Sequence, residues 1–285
     1  MMLQLQRVMV FIVLLAWTAC SATQGSSTAL KLEHQKSAKP HAERGRSPSN
    51  HQFANGHWSY QGVEGPDHWA MLKPSYMTCE TGRQQSPINI VMPHAGYNQE
   101  NLEFHYKPTP LIIRNNGHTI QVNYQKGSFF RLNGRSYKLR QFHFHDPSEH
   151  HIDGKAYPME MHLVHQDEKG HIVVIGVLLT FGKENPAFAR VGDWLQAHIG
   201  HRFPAQGQEV STDLTFDLMD VLPDTIHHFS YHGSLTTPPC SEGVQWVILK
   251  VPMKISKKQA DRFITTIGQN ARPIQPLNYR DVQEN

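Results

Sequence analysis

The chain has 285 residues, enough for one large domain or two small ones, and 39% of them are hydrophobic, an ordinary globular fraction that can fill a core. Its formal charge of +3 is unevenly spread: Arg7, Lys31, Lys36, Lys39, Arg44 and Arg46 face only Glu33 and Glu43 before residue 57, so the remainder is near neutral. A near-neutral body excludes a domain built to neutralise nucleic-acid phosphates.

Residues 1–22 read as an export signal. Arg7 is their one charge, an apolar run follows over 8–17, and Ala19, Cys20, Ser21 and Ala22 supply the small residues of a cleavage region. The run is too short to span a bilayer comfortably, which leaves a buried helix as the competing reading and no membrane-spanning segment in the mature chain. A lipid anchor on Cys20 is the weaker alternative, because bulky Trp17 stands where such sites favour an aliphatic side chain. From 23 to 56 the sequence is rich in Ser, Lys, Gln and His, holds Pro40 and Pro48, and has almost no large apolar residue. It cannot offset its own ordering entropy and reads as a flexible polar tether.

With Cys20 set aside in the signal, Cys79 and Cys240 remain as one pair. In the oxidising compartment that export implies, periplasmic or extracellular, they are expected to bridge; two buried free thiols are the alternative if the chain stays inside.

Residues 57–285 show no repeat and no second linker, so one domain follows. The segments 111–114, 119–124, 136–145, 158–165, 172–180 and 244–251 are short, rich in β-branched and aromatic residues, and bounded by turn formers. Asn116-Gly117, Asn133-Gly134, Asp153-Gly154 and Lys169-Gly170 provide turns at hairpin intervals. Helical spacing is confined to 187–198 and 256–267, the second opening on the N-cap residue Ser256. The expected fold is mainly β (α+β): a large twisted, mostly antiparallel central sheet with peripheral helices. The apolar segment 172–180 is expected to be a central strand covered on both faces.

The densest chemistry is "QFHFHDPSEHH", residues 141–151. On a strand of period two, His143 and His145 share a face while Phe142 and Phe144 point to the other, into core. Two such imidazoles make half of a metal site, and a zinc centre that keeps one position open for water needs one further ligand. His150, His151, His162 and His165 are the candidates. Within "MEMHLVH", Glu160 and His162 share a face, and metal-bound histidines commonly donate their second ring N–H to a carboxylate or amide. Gln141 stands in the same relation to His143.

Several motifs run in one order along the domain: "HWSY" (57–60), "SPINI" (86–90), "NNGH" (115–118), "QFHFH" (141–145), "SEH" (148–150), "EMHLVH" (160–165), "GSLTTPPC" (233–240) and "RPIQPLNYR" (272–280). Together they resemble the α-class carbonic anhydrases, across residues 57 to about 283. The resemblance implies zinc in a conical cleft held by His143, His145 and His162, with Gln141, Glu160 and the Asn270 carbonyl behind them. It implies reversible hydration of carbon dioxide to bicarbonate by a zinc-bound hydroxide. Glu149 and Thr236 would form the gate, Thr237 would help hold bicarbonate, and Val164, Val174, Leu235, Val244 and Trp246 would wall the substrate. His118 would shuttle the proton, with Tyr60, Asn116 and Gln121 around the intervening water. Asp146-Pro147 departs from the aromatic residue and glycine of many animal members, and the cysteine pair resembles exported bacterial members. The expected partner is thus the small molecule carbon dioxide or bicarbonate, and the sequence assigns no oligomeric state. Two rivals stand beside this reading. One is a zinc-capturing envelope protein working through His34, His41, His51 and His57; the other is ester hydrolysis by the same site.

Overall fold

The computed structural model describes residues 56–91, 99–200 and 202–285, with the backbone of 96–97. The export signal, 1–22, and the tether up to residue 55 lie outside the described residues, as do His34, His41 and His51. Among the described residues no helix is long and apolar enough to cross a membrane.

The domain opens on two single-turn helices, Trp69–Leu72 (α1) and Thr78–Thr81 (α2), followed by the short strands Asn89–Ile90 (β1) and Gly96–Tyr97 (β2). Leu102–His105 (β3), Thr109–Asn115 (β4), Ile120–Asn123 (β5), Phe129–Leu132 (β6) and Arg135–His145 (β7) come next, then the small hairpin His151–Ile152 (β8) and Lys155–Ala156 (β9). Met159–Gln166 (β10) and Ile172–Phe181 (β11) precede the long helix Pro186–Ile199 (α3). Glu209–Phe216 (β12), His228–Ser234 (β13), Glu242–Ile255 (β14), helix Lys257–Ile267 (α4) and Gln283–Glu284 (β15) complete the order.

Ten strands form a continuous path in the order β12-β4-β5-β7-β10-β11-β14-β13-β15-β2, with β6 and β3 branching from β7. Within this sheet pairing is antiparallel except between β11 and β14 and between β15 and β2. The parallel β11/β14 pair arises because the chain leaves β11 through α3, β12 and β13 before it returns. As the apolar run predicts, β11 lies between β10 and β14 and is buried over almost its whole length. The predicted turns fall between paired strands: Asn133 and Gly134 join β6 to β7 with φ of 51° and 79°, and Asp153 and Gly154 join β8 to β9 with 48° and 77°. These left-handed pairs suit Asn-Gly and Asp-Gly.

The six expected strands are present, with β14 extending well beyond 244–251. Strands β3, β6, β12 and β13 are additional, as are the two-residue strands β1, β2, β8, β9 and β15. Strand β12 escapes an apolar scan because EVSTDLTF exposes alternate residues along a sheet edge. Each face of the sheet carries its own core. Phe142, Phe144, Met161, Leu163, Val173 and Val177 face the larger cluster, which α3 and α4 cover through Phe188, Leu195, Ala260 and Phe263. The helices begin where their caps demand: the Asn185 side chain accepts from the Ala187 and Phe188 amides, and Ser256 forms a reciprocal capping box with Gln259. Gln259 also bonds Asn185 in both directions, which ties the two helix starts together. The opposite face holds Ile88, Ile90, Val174, Leu178, Phe229 and Trp246. A third cluster packs Trp69 and Leu72 against the Cys79–Cys240 disulfide, the bridge expected from the cysteine count.

Candidate metal centre

The site is built on three adjacent strands whose register sets side by side what the sequence holds apart. His162 of β10 lies opposite His143 of β7, and Gln121 of β5 lies opposite His143 on its other side. Two residues further along β7 is His145. The three imidazoles therefore rise from one face, with ring centroids 5.0 Å (His143 to His145), 5.3 Å (His143 to His162) and 4.5 Å (His145 to His162) apart. Each offers one nitrogen, and these ligand atoms lie within 4.8 Å of one another.

The far side of each ring is engaged. His143 Nδ1 is 2.8 Å from Gln141 Oε1, and His145 Nδ1 is 2.8 Å from the Asn270 carbonyl. His162 Nε2 lies 3.0 Å from Glu160 Oε1, at ion-pair distance though poorly aligned for a hydrogen bond. Burial keeps all three rings neutral: it lowers His145 to about 4, lowers His162, and together with the neighbouring imidazoles holds His143 well below the usual histidine range. His145 Nε2 is buried without a hydrogen-bond partner. Three neutral imidazoles with occupied backs and a buried, unpartnered nitrogen form a donor set that fits zinc.

Glu160 is the hub behind the site. Its Oε2 accepts the backbone amides of Glu149 (3.0 Å) and His150 (2.8 Å), while Oε1 faces His150 Nδ1 at 2.8 Å and His162. Burial opposes its ionisation, but attraction to His150 and His162 outweighs it and holds the carboxyl well below its ordinary value. Gly176, opposite His162 in β11, is what leaves room: a Cβ there would stand 2.7 Å from Glu160 Oε1 and 2.6 Å from Ile248.

Of the four candidates for the third ligand, the structure sets His162 beside His143 and His145 and turns the others away. His150 forms a close trio with Glu160 and His162, but both its nitrogens are taken, Nδ1 by Glu160 and Nε2 by the Tyr231 hydroxyl at 2.6 Å. His151 pairs in the small β1/β8/β9 sheet. His165 lies on the opposite face, where its Nε2 meets the Tyr106 hydroxyl at 2.7 Å.

Glu149 is fully buried beside the rings, with Oε2 3.5 Å from His145 Nε2 and Oε1 accepting the Arg272 amide at 2.8 Å. Burial pushes its carboxyl up to about 7, against the attraction of His162, the Arg272 amide and the Thr236 hydroxyl. Thr236 is itself buried, in a loop fastened by Leu235 N to Ser241 O and Cys240 N to Thr237 O, with the disulfide at its end. Thr237 is half-buried in the same loop. Val164, Val174, Leu235, Val244 and Trp246 come together in one apolar cluster, with the Trp246 ring 4.8 Å from that of His162.

His118 is half-buried and lies flat on Trp58, ring centroids 3.7 Å apart and planes within 7°. Asn116 bonds Gln121 (3.2 Å), and Tyr60 packs edge-on against Trp58 and Trp69. Trp58, Tyr231 and Arg272 carry roles that the sequence did not announce, and His150, a candidate ligand by sequence, instead bridges Glu160 and Tyr231. "HWSY", "SEH" and "RPIQPLNYR" contain Trp58, His150 and Arg272, but their roles are tertiary contacts across tens of residues. Only the rival tether reading counts His57 with the tether; the ring lies against His118 and Glu64.

Comparison with known proteins brings one family forward. The profile of the eukaryotic-type carbonic anhydrase family matches residues 64–285. A carbonic anhydrase of Neisseria gonorrhoeae is 41% identical over 230 residues, 80% of this chain and 88% of that protein. One from a Nostoc species is 40% identical over 242 residues, covering 84% and 89%. Among solved structures, the α-carbonic anhydrase of Thermovibrio ammonificans in complex with sulfanilamide superposes with a TM-score of 0.74 at 40% identity, covering 80% of this chain and 98% of that one. A dioscorin bound to ascorbate gives the same TM-score at 29% identity, covering 80% and 97%.

Proposed function

The chain belongs to the eukaryotic-type carbonic anhydrase family, and from that premise we propose how its residues divide the reaction. It is a zinc enzyme that interconverts carbon dioxide and bicarbonate. The rival of a zinc-capturing tether has no support: the matched family region begins at residue 64 and is that of an enzyme.

His143, His145 and His162 hold the metal as three neutral donors. When bound, zinc supplies the Lewis acidity that lets a water lose its proton at pKa about 7, a reference value that itself comes from carbonic anhydrase. Gln141, the Asn270 carbonyl and Glu160 fix the tautomer and orientation of the three rings. Thr236, donating its hydroxyl proton to Glu149, keeps lone pairs that accept only from a group carrying hydrogen, which selects the reactive ligand over simple anions. Thr237 holds bicarbonate at the mouth. Val164, Val174, Leu235, Val244 and Trp246 present carbon dioxide with an apolar wall, suited to a substrate without a strong hydrogen-bonding handle. His118 carries the proton out, its pKa lowered by burial and by His57 so that it gives the proton up readily once taken, with Tyr60, Asn116 and Gln121 holding the water between.

Residues 1–22 serve as the export signal, 23–56 as the tether and 57–285 as the catalytic domain. The protein works outside the cytoplasm, a placement supported by the disulfide.

The observation that supports the ligand assignment above all is the convergence of three neutral imidazoles, two with the far nitrogen hydrogen-bonded and the third with it 3.0 Å from Glu160 Oε1. Metal analysis tests it. The purified chain is expected to carry one zinc, and His143→Ala, His145→Ala and His162→Ala are each expected to lose it; folded variants that all retained zinc would overturn the assignment.

A further inference from the structure

The first segment of the domain forms a clasp over the outer face of His118. Trp58 covers one side of that imidazole, and the adjacent His57 places its ring centroid 6.2 Å from the His118 centroid, with planes tilted by 39°. His57 is exposed, and its Nδ1 lies 3.2 Å from Glu64 Oε2. This pair is held by a closed turn. The Ser59 amide donates to the Glu64 carbonyl at 2.9 Å, and the indole N–H of fully buried Trp69 donates to both the Ser59 and Glu64 carbonyls. On the other flank Gly56 is fixed by the Tyr76 hydroxyl on its carbonyl and faces the Lys73 side chain. Among the described residues, the titratable groups that face His57 are Glu64 and His118, while Lys73 and Tyr76 lie against the adjoining Gly56.

We infer that His57 is a second relay for the proton leaving through His118, accepting it across one water and presenting it to solvent opposite Glu64. The inference rests on the shuttle role given to His118 above. Its step is a single proton transfer: the His118 imidazolium gives up one N–H proton and becomes neutral, neutral His57 gains it, and a buffer base removes it. A separation of 6.2 Å between ring centres suits transfer through one water. Half-buried beneath Trp58, His118 offers solvent only part of its ring, whereas His57 is open. Two charges do not persist side by side, since each imidazolium repels the other. That repulsion, after burial, is what lowers His118. Glu64 attracts the proton outward, so the charge gradient of the clasp runs from the site towards bulk solvent.

The test is carbon dioxide hydration by the full chain in weak and in strong buffer, comparing the parent with His57→Gln, Glu64→Gln, His118→Ala and the His57→Gln/His118→Ala pair. In weak buffer His57→Gln is expected to lower kcat about two- to fivefold with kcat/KM unchanged, because proton release limits only turnover. Concentrated imidazole should restore it, Glu64→Gln should show a smaller fall of the same kind, and the double variant should be no slower than His118→Ala. An unchanged kcat for His57→Gln in weak buffer, alongside a slow His118→Ala, would overturn the relay and leave the shuttle standing. So would a parallel fall in kcat and kcat/KM that imidazole does not relieve, which marks a merely structural His57. An unimpaired His118→Ala would remove both the shuttle and the relay.

Discussion

Replacing Glu160 by Gln tests whether the carboxylate behind His162 sets the metal site through tautomer control. The side chain faces four nitrogens: the Glu149 and His150 amides donate to one oxygen, while His150 Nδ1 lies at hydrogen-bond distance and His162 Nε2 at ion-pair distance from the other. An amide of the same shape has one acceptor end. If its oxygen stays with the two backbone amides, its NH2 faces two ring N–H groups; if it turns, the NH2 faces the two backbone amides. In the first case relief requires His162 to move its proton to Nδ1, the nitrogen that must be free to ligate. Loss of such an outer partner typically costs 10–100-fold in metal affinity, about 1.4–2.8 kcal/mol. The assay is equilibrium competition for zinc with a chelator of known affinity, paired with circular dichroism to show that the fold persists. A folded Glu160→Gln protein that binds zinc as tightly as the parent would refute the tautomer argument.

Three further outcomes follow from other parts of the molecule. Cys79→Ser/Cys240→Ser opens a link spanning 161 residues, worth about 5 kcal/mol by chain entropy, although measured disulfides more often give about 2–4. Thermal unfolding should fall by about 5–15 °C, and an unchanged midpoint would show that the bridge constrains little. His165 is fully buried and burial lowers its pKa from 6.5 to about 3. The unfolded chain therefore takes up that proton first, and this contribution to stability is whole above about pH 6.5 and drains away as pH falls towards 3. Denaturant titrations at several pH values should show the slope, and a non-titrating His165→Phe variant should flatten it; an identical slope would assign the loss to other groups. Val174→Phe, which crowds the proposed apolar wall from β11, should lower kcat/KM for carbon dioxide with zinc content unchanged, whereas full activity would take Val174 out of the wall.

Strand periodicity carried much of the site into view. Alternation alone put His143 and His145 on one face with Phe142 and Phe144 in the core, and the same rule paired Glu160 with His162. It could not choose among four histidines for the third position, because that choice lies in the register of β10 against β7 and in what occupies the other rings. Tyr231 engages His150 from 81 residues away, and no local pattern announces such a contact. Glu149 and Thr236 read as a surface charge and a loop residue until the family motifs are recognised. Burial of Glu149 comes from the Arg272 segment closing over it, 123 residues later. Nothing local explains Gly176 in the middle of apolar β11; its reason is the Glu160 carboxylate that fills the space.

The fold was legible where strands are apolar or alternate cleanly. It was hidden where they run along an edge, as in β12, or carry polar residues into the interior, as in β13 with His228, Ser230 and Ser234 buried. The parallel β11/β14 contact was beyond local reading, since it depends on how a long excursion returns to the sheet.

The most direct test of the central claim is stopped-flow hydration of carbon dioxide by the full chain as purified, after exhaustive chelation, and after zinc is restored. The account predicts activity that disappears with the metal and returns at one zinc per chain. Hydration that survives complete removal of zinc, or a folded and zinc-loaded protein that hydrates no carbon dioxide, would contradict it.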